Sequence, residues 1–269
     1  MTPVKTASAK HGCTPEKGAQ VKEETSSMEL LSEDHGAIRV LTLNRPGKHN
    51  ATNSTLTQAL LDGLRIADDD ETVNAVVLTG AGKSFCAGAD TTEFSALTPE
   101  SPAAVLARAD LTSALHLVFS QMRKPVIAAV RGNALGGGAG LAIACDLVVI
   151  AEDARFGYPE LKHGIVAAVV LANLVRQVGR KHAFDLVSSG KPIDGHRALA
   201  LGLANRCVPA EQVLEQALEM ARVLAAWSPI AMQTTKRTFH RASDVGLGQA
   251  LAIGRDANVM MRGFNKAKA

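Results

Sequence analysis

Three short apolar segments constrain this chain more than any other feature. They are Ala75-Val76-Val77-Leu78-Thr79, Val126-Ile127-Ala128-Ala129-Val130 and Leu147-Val148-Val149-Ile150. A strand with one wet face alternates apolar and polar residues; these segments do not, so each reads as a buried strand. Helical stretches separate them, one of them from about Ala103 to Met122. From Ala167 onward the chain reads mainly as helices, with joints at Gly179, Gly190-Lys191-Pro192, Gly202 and Ser228-Pro229. Buried strands alternating with helices, then a run of helices, predict an α/β core with a helical tail.

Flanking signals fill in the first part of that core. Ile38 to Leu43 alternates as a strand after a turn at Asp34-His35-Gly36, and Asn44-Arg45-Pro46-Gly47 ends it. Asn53 or Ser54 then caps an amphipathic helix carrying Leu56, Leu60, Leu61 and Leu64 on one face. Nothing rich in proline or serine splits the chain, so one core domain is expected over residues 28–200, with a helical region over 201–269. Residues 1–27 mix lysines with Glu16, Glu23 and Glu24 and read as a polar leader without an export signal.

Composition excludes several function classes. With 46% hydrophobic and 20% charged residues, the 269-residue chain can build a sizeable core. Aromatics make up only 3% and the basic residues are scattered, so no stacking platform for nucleic acid is expected. The net charge of +3 suits a local basic patch for an anionic ligand. No apolar run reaches the ~20 residues of a membrane helix. Four cysteines without CxxC spacing fit a reducing, cytoplasmic setting. Neither His49 nor His163 has metal-ligand spacing, and no metal is expected.

Two glycine-rich segments first invite a nucleotide reading. Gly80-Ala81-Gly82-Lys83-Ser84 ends like a phosphate loop, yet Val77 stands where the motif requires its first glycine. An NTPase binding ATP through Lys83 is therefore a weak alternative. Gly136-Gly137-Gly138-Ala139-Gly140-Leu141 fails the dinucleotide fingerprint because Leu141 occupies the last glycine place. Both segments place small residues after a buried strand, so a ligand can approach the backbone and the amides themselves can donate. The second also opens a helix, whose unpaired first N–H groups favour negative charge. Alone, each run reads equally as a tight turn or a close helix contact.

Five ordered motifs carry a more specific likeness. They are Leu43-Asn44-Arg45-Pro46, Ser84 to Asp90 (Ser-Phe-Cys-Ala-Gly-Ala-Asp), Gly132 to Gly138 (Gly-Asn-Ala-Leu-Gly-Gly-Gly), Ala144-Cys145-Asp146 and Phe156-Gly157-Tyr158-Pro159-Glu160. Together, from roughly Met28 to Arg241, they closely resemble the crotonase family, the enoyl-CoA hydratase/isomerase superfamily. The resemblance implies a spiral of ββα turns with a helical C-terminal trimerisation region, assembled as a homotrimer or a dimer of trimers. It implies an acyl-CoA thioester as substrate, coenzyme A being part of that substrate rather than a cofactor. It assigns the oxyanion-hole amides to Ala89 and Gly137, and the catalytic acid/base to Glu160. Lys48 and His49, with Ala87, Asp90 and Thr91, would line the coenzyme A channel. Leu135, Gly136, Gly140, Tyr158 and Pro159 join them as expected substrate contacts.

The chemistry fits that assignment. Taking a proton next to a thioester carbonyl builds negative charge on its oxygen, which fixed amides stabilise by a few kcal/mol each. A carboxylate within hydrogen-bond reach then moves the proton.

Departures from the family pattern sharpen the expectation. Hydratases of the family carry a second glutamate where this chain has Gly140. Water addition is easiest with two carboxylates, whereas double-bond migration needs one, so isomerase-type proton transfer is favoured. A catalytically weak acyl-CoA-binding homologue is the alternative. From Leu161 to Ala183 there is no acidic residue, which disfavours a dienoyl-CoA isomerase. Val166-Ala167-Ala168-Val169 replaces a glycine-rich turn and should reshape the acyl pocket. Thr92 stands where a phosphate-contacting lysine is frequent, and Lys266 and Lys268 are candidates to substitute for missing C-terminal contacts.

The remaining conspicuous side chains have plainer readings. Cys86 reads as a buried small hydrophobe, since no general base is adjacent in sequence. Tyr158 either touches the acyl group or packs. Trp227 reads as a core or subunit-interface residue. Asp146 is expected to cap or orient a strand end.

Overall fold

The computed structural model describes Met1 and residues 28–265. Residues 2–27, most of the expected leader, and Lys266 and Lys268 lie outside the described residues.

The chain opens with a hairpin of β1 (Leu30–His35) and β2 (Ile38–Leu43), paired antiparallel from Leu30 with Leu43 to His35 with Ile38. Its turn sits at Gly36, where φ is +65°, a residue later than the sequence suggests. Helix α1 (Ser54–Asp69) starts where Asn53 accepts a 2.8 Å bond from the Leu56 amide. Its Leu56, Leu60, Leu61 and Leu64 are buried.

The apolar segments become β3 (Ala75–Gly80), β4 (Val126–Val130) and β6 (Leu147–Ala151), within a residue of expectation. With β8 (Arg206–Val208) they form a six-stranded sheet ordered β1-β2-β3-β4-β6-β8, parallel beyond the first hairpin. Helices lie between the strands: α2 (Pro102–Gln121) precedes β4, and α3 (Gly137–Ala144) precedes β6. By length and hydropathy α2 reaches the range of a membrane span, but it carries Arg108, Asp110 and His116 and buries Leu115, Val118 and Phe119.

A second, smaller sheet pairs β5 (Asn133–Leu135) with β7 (Arg155–Gly157) in parallel. Single bridges extend it: Cys86 to Ala134, Phe156 to Ile193, and, farther along the same segment, Thr52 to Ala89. Successive turns of the chain thus give one strand to the large sheet and a short segment to the small one. This is the spiral of ββα turns of the crotonase fold, closed by C-terminal helices.

The tail follows the expected joints. Helix α4 (Leu171–Ser189) breaks at Gly179, where φ is +70° and ψ 172°, and ends at Gly190. Helices α5 (Gly195–Ala200), α6 (Val213–Ala225), α7 (Pro229–Ser243) and α8 (Leu247–Asn265) follow. Because β8 joins the main sheet and α6 packs across β3, β4 and β6, the core draws on residues well beyond 200. Asp146 ties α7 to that core. Its Oδ2 accepts from the Val126 amide and from Lys236 Nζ, each at 2.7 Å, while Oδ1 lies 3.0 Å from His240 Nε2.

Candidate active site

The site is assembled where the small sheet meets the N-terminus of α3. Asn50 organises its entrance: fully buried, it accepts from the Arg45 amide and donates to the Ala81 and Ser84 carbonyls. These bonds pin the Gly80–Ser84 turn, whose small residues therefore serve a tight loop. Beyond it, the segment from Cys86 is held on both sides. The Cys86 amide donates to Asn133 and the Ala87 amide to His49, and the Leu135 amide donates to Cys86.

Ala89 lies in a bridge with Thr52 that uses the Gly88 carbonyl and the Asp90 amide. Peptide groups alternate along an extended chain, so the intervening Ala89 amide points to the opposite side. Gly137 is the first residue of α3, where helix geometry supplies its N–H with no intrahelical acceptor. A methyl built on Gly137 would lie 3.9 Å from the Ala89 nitrogen. The two amides are therefore neighbours on one wall, and the dipole of α3 adds partial positive charge there.

Glu160 reaches the same wall from another element. It begins a 3-10 turn, Glu160–His163, directly after Pro159. A methyl on Gly136 would lie 3.1 Å from Glu160 Oε1, so the bare glycine leaves the carboxylate its position. Glu160 is half-buried, and its Oε2 is sealed without a hydrogen-bond partner. Burial raises its pKa above the ordinary carboxylate value, and a backbone hydrogen bond, then the nearby His163, offset this only in part.

These groups open onto a cavity of about 490 Å³. Ala87, Gly88, Ala89, Gly136, Gly137, Pro159 and Glu160 line one side, with Thr91 and Phe94 at an edge and Ile165 to Val170 opposite. A smaller apolar lobe of about 250 Å³ continues past Ala89 and Gly137 toward Val105, Arg108, Leu115 and Leu141. Such an arrangement places two backbone amides and a carboxylate at one mainly apolar chamber.

The family profile for enoyl-CoA hydratase/isomerase matches residues 33–268. The chain belongs to the enoyl-CoA hydratase/isomerase family. This enoyl-CoA hydratase/isomerase is 38% identical over 235 residues to the 2,3-dehydroadipyl-CoA hydratase of Escherichia coli K12, covering 84% of this chain and 88% of that one. Its fold superposes on an enoyl-CoA hydratase from Polaromonas sp. JS666 with a TM-score of 0.82 and 33% identity, covering 86% and 90%. It also matches a monofunctional enoyl-CoA isomerase from Mycobacterium smegmatis, with a TM-score of 0.72 and 29% identity, covering 84% and 99%. The same scaffold thus serves both named activities.

Within this hydratase/isomerase the expected contacts divide into two groups. Ala87, Ala89, Thr91, Gly136, Gly137, Pro159 and Glu160 meet around the cavity. Lys48 and His49 are exposed on the entrance loop, and His49 Nδ1 lies 3.1 Å from Ser84 Oγ rather than in the chamber. Asp90 turns inward: its side chain meets Arg45 at 2.9 Å and the Thr92 hydroxyl at 2.7 Å. The Thr92 hydroxyl foremost, then Arg45, holds the Asp90 pKa down to about 2. Leu135 contributes backbone to the small sheet.

Tyr158 is fully buried, edge-on to Phe156 with ring centroids 6.0 Å apart, so it packs rather than lines the chamber. Cys86 is sealed, and burial pushes its thiol up to about 12, which removes it as a nucleophile. Trp227 is 60% exposed in the single chain and so is not a core residue.

Gly140 is also buried away from the chamber. A methyl there would collide with Val170 Cγ1 and lie 2.8 Å from His116 Cε1. The sequence reading missed what fills this space. Arg108, Thr112 and His116 line the cavity from α2 at intervals of four residues, a polar stripe on one helix face. That spacing was visible in an otherwise apolar helix and is the signal that could have found them.

Proposed function

We propose that this chain moves a proton at the α-carbon of enoyl-CoA thioesters. In this reading the Ala89 and Gly137 amides hold the enolate oxygen and Glu160 carries the proton. The juxtaposition of these amides with a half-buried carboxylate whose Oε2 has no partner, in one cavity, carries the reading. As the base removes the α-proton, the electron pair passes into the thioester and the oxygen gains charge where donors already wait. A raised pKa makes Glu160 a stronger base once it is ionised, and lets it return the proton to another carbon. One carboxylate is sufficient for that migration, and Gly140 leaves no second one in the place where hydratases of the family keep theirs.

The acyl portion would occupy the apolar lobe, with coenzyme A leaving along Ala87 and Thr91. Val166 to Val169 line the chamber and support an altered acyl pocket. Assembly into trimers through the C-terminal helices belongs to the same proposal, supported by exposed Phe239, Leu247 and Leu251.

A panel of 2-enoyl and 3-enoyl thioesters in deuterated water tests the reading by mass spectrometry. Deuterium at the α-carbon, and 2-enoyl product from 3-enoyl substrate, is the expected result. Thioester binding without deuterium uptake would instead leave an acyl-CoA-binding protein.

A further inference from the structure

His116 stands one helical turn from the oxyanion hole and has no role in the reading above. Gly136 directly precedes α3, and Gly140 lies in its first turn. Glu160 rests over the first and His116 over the second, each within about 3 Å of a methyl built on that glycine. Both line the 490 Å³ cavity, together with Ala89 and Gly137. His116 Nδ1 is sealed and without a partner, as is Glu160 Oε2. Two of the four such atoms among the described residues therefore belong to side chains that line this cavity. Buried polar atoms are normally satisfied, and their clustering marks a place held for a ligand. Gly140 is consequently not only a lost carboxylate, because its side-chain space has passed to an imidazole and to Val170.

We propose that His116 is a catalytic residue that holds the water added to the β-carbon of a 2-enoyl thioester, so that the site hydrates as well as isomerises. The proposal rests on the enoyl-CoA reading. The water oxygen bonds to the β-carbon while its proton passes to the Glu160 carboxylate. The π pair of the double bond moves into the thioester, and the enolate oxygen rests on Ala89 and Gly137. The same proton then passes from Glu160 to the α-carbon, which restores the carboxylate. One water is added and no residue changes its net charge. His116 accepts a hydrogen bond from the second water O–H and remains neutral, consistent with a pKa that burial lowers to about 4.

The test compares hydration of a 2-enoyl thioester with isomerisation of its 3-enoyl isomer in the full-length protein. Wild type is expected to perform both reactions. In His116→Leu, of similar bulk, the ratio of hydration to isomerisation should fall on the order of a hundredfold, the size of a positioned acid–base partner. His116→Gln, which keeps a polar tip, should restore part of that ratio. An unchanged ratio in both variants overturns the proposal, as does a wild-type protein that isomerises without hydrating. A wild-type protein inert toward both thioesters overturns the enoyl-CoA reading, and this proposal falls with it.

Discussion

Glu160 is held in tension between its proposed role and its surroundings. Burial raises its pKa, so the folded protein binds its proton more tightly than the unfolded chain does. Stability therefore falls as pH rises from the ordinary carboxylate range through the raised folded value, and the cost is full above it. Glu160→Gln should abolish turnover, by a factor of at least ~100. It should also melt no lower than wild type at neutral pH, and thermal scans from pH 4 to 8 should show the two curves converge on the acid side. The rate itself should drop on acidification around a pKa above that of a free glutamate, which a kcat/KM profile reads directly. Asp90 behaves in the opposite sense. Its depressed pKa gives stability that is present above the ordinary carboxylate range and is lost as pH falls toward about 2. Glu160 and the two amide positions were legible because short motifs fix them. Asp90 was misjudged, and Tyr158 was left open between acyl contact and packing, because a motif gives adjacency in sequence, whereas the direction of a side chain depends on packing from Phe156 and Arg45.

At the scale of elements, α3 is a tightly packed joint. Gly138 faces Cys86 and Gly140 faces Val170 and His116 with no room for a methyl. Gly140→Ala should cost about 1–3 kcal/mol by overpacking, measured by urea unfolding. Adding Val170→Ala should return part of that loss, a coupling that a double-mutant cycle resolves. The strands β3, β4 and β6 were readable because they are covered on both faces and so carry no polar interruption. The three-residue strands β5 and β7 were not, since elements so short have no period to detect and form through partners distant in sequence. The polar stripe of α2 escaped for a different reason. Polar residues on a long helix ordinarily mark its wet side, and only the tertiary arrangement turns Arg108, Thr112 and His116 toward a chamber.

For the whole molecule, the proposed assembly would run through the C-terminal helices. Phe239 is 65% exposed and Leu247 77%, so α7 and α8 carry an apolar face that the single chain leaves uncovered. Phe239→Glu together with Leu251→Glu should shift the protein to monomers, read by sedimentation. Lys236 and Asp146 hold α7 in place through a 2.7 Å pair with the lysine 4% exposed. Asp146→Ala strands that buried charge and should cost about 3–5 kcal/mol in a denaturant titration. The helical tail was expected from sequence, but its grip on the sheet through Asp146 was only half read, as a strand-end contact, because Lys236 and His240 lie some ninety residues away. One property of the hole reaches furthest. Its donors at positions 89 and 137 are main-chain atoms, so exchange of side chains alone does not delete them unless it bends the backbone. In the proposed reading the cradle for negative charge is written into the path of the chain, while the side chains around it remain open to replacement. A carboxylate can give way to a glycine and an imidazole without dismantling the scaffold that makes either one useful.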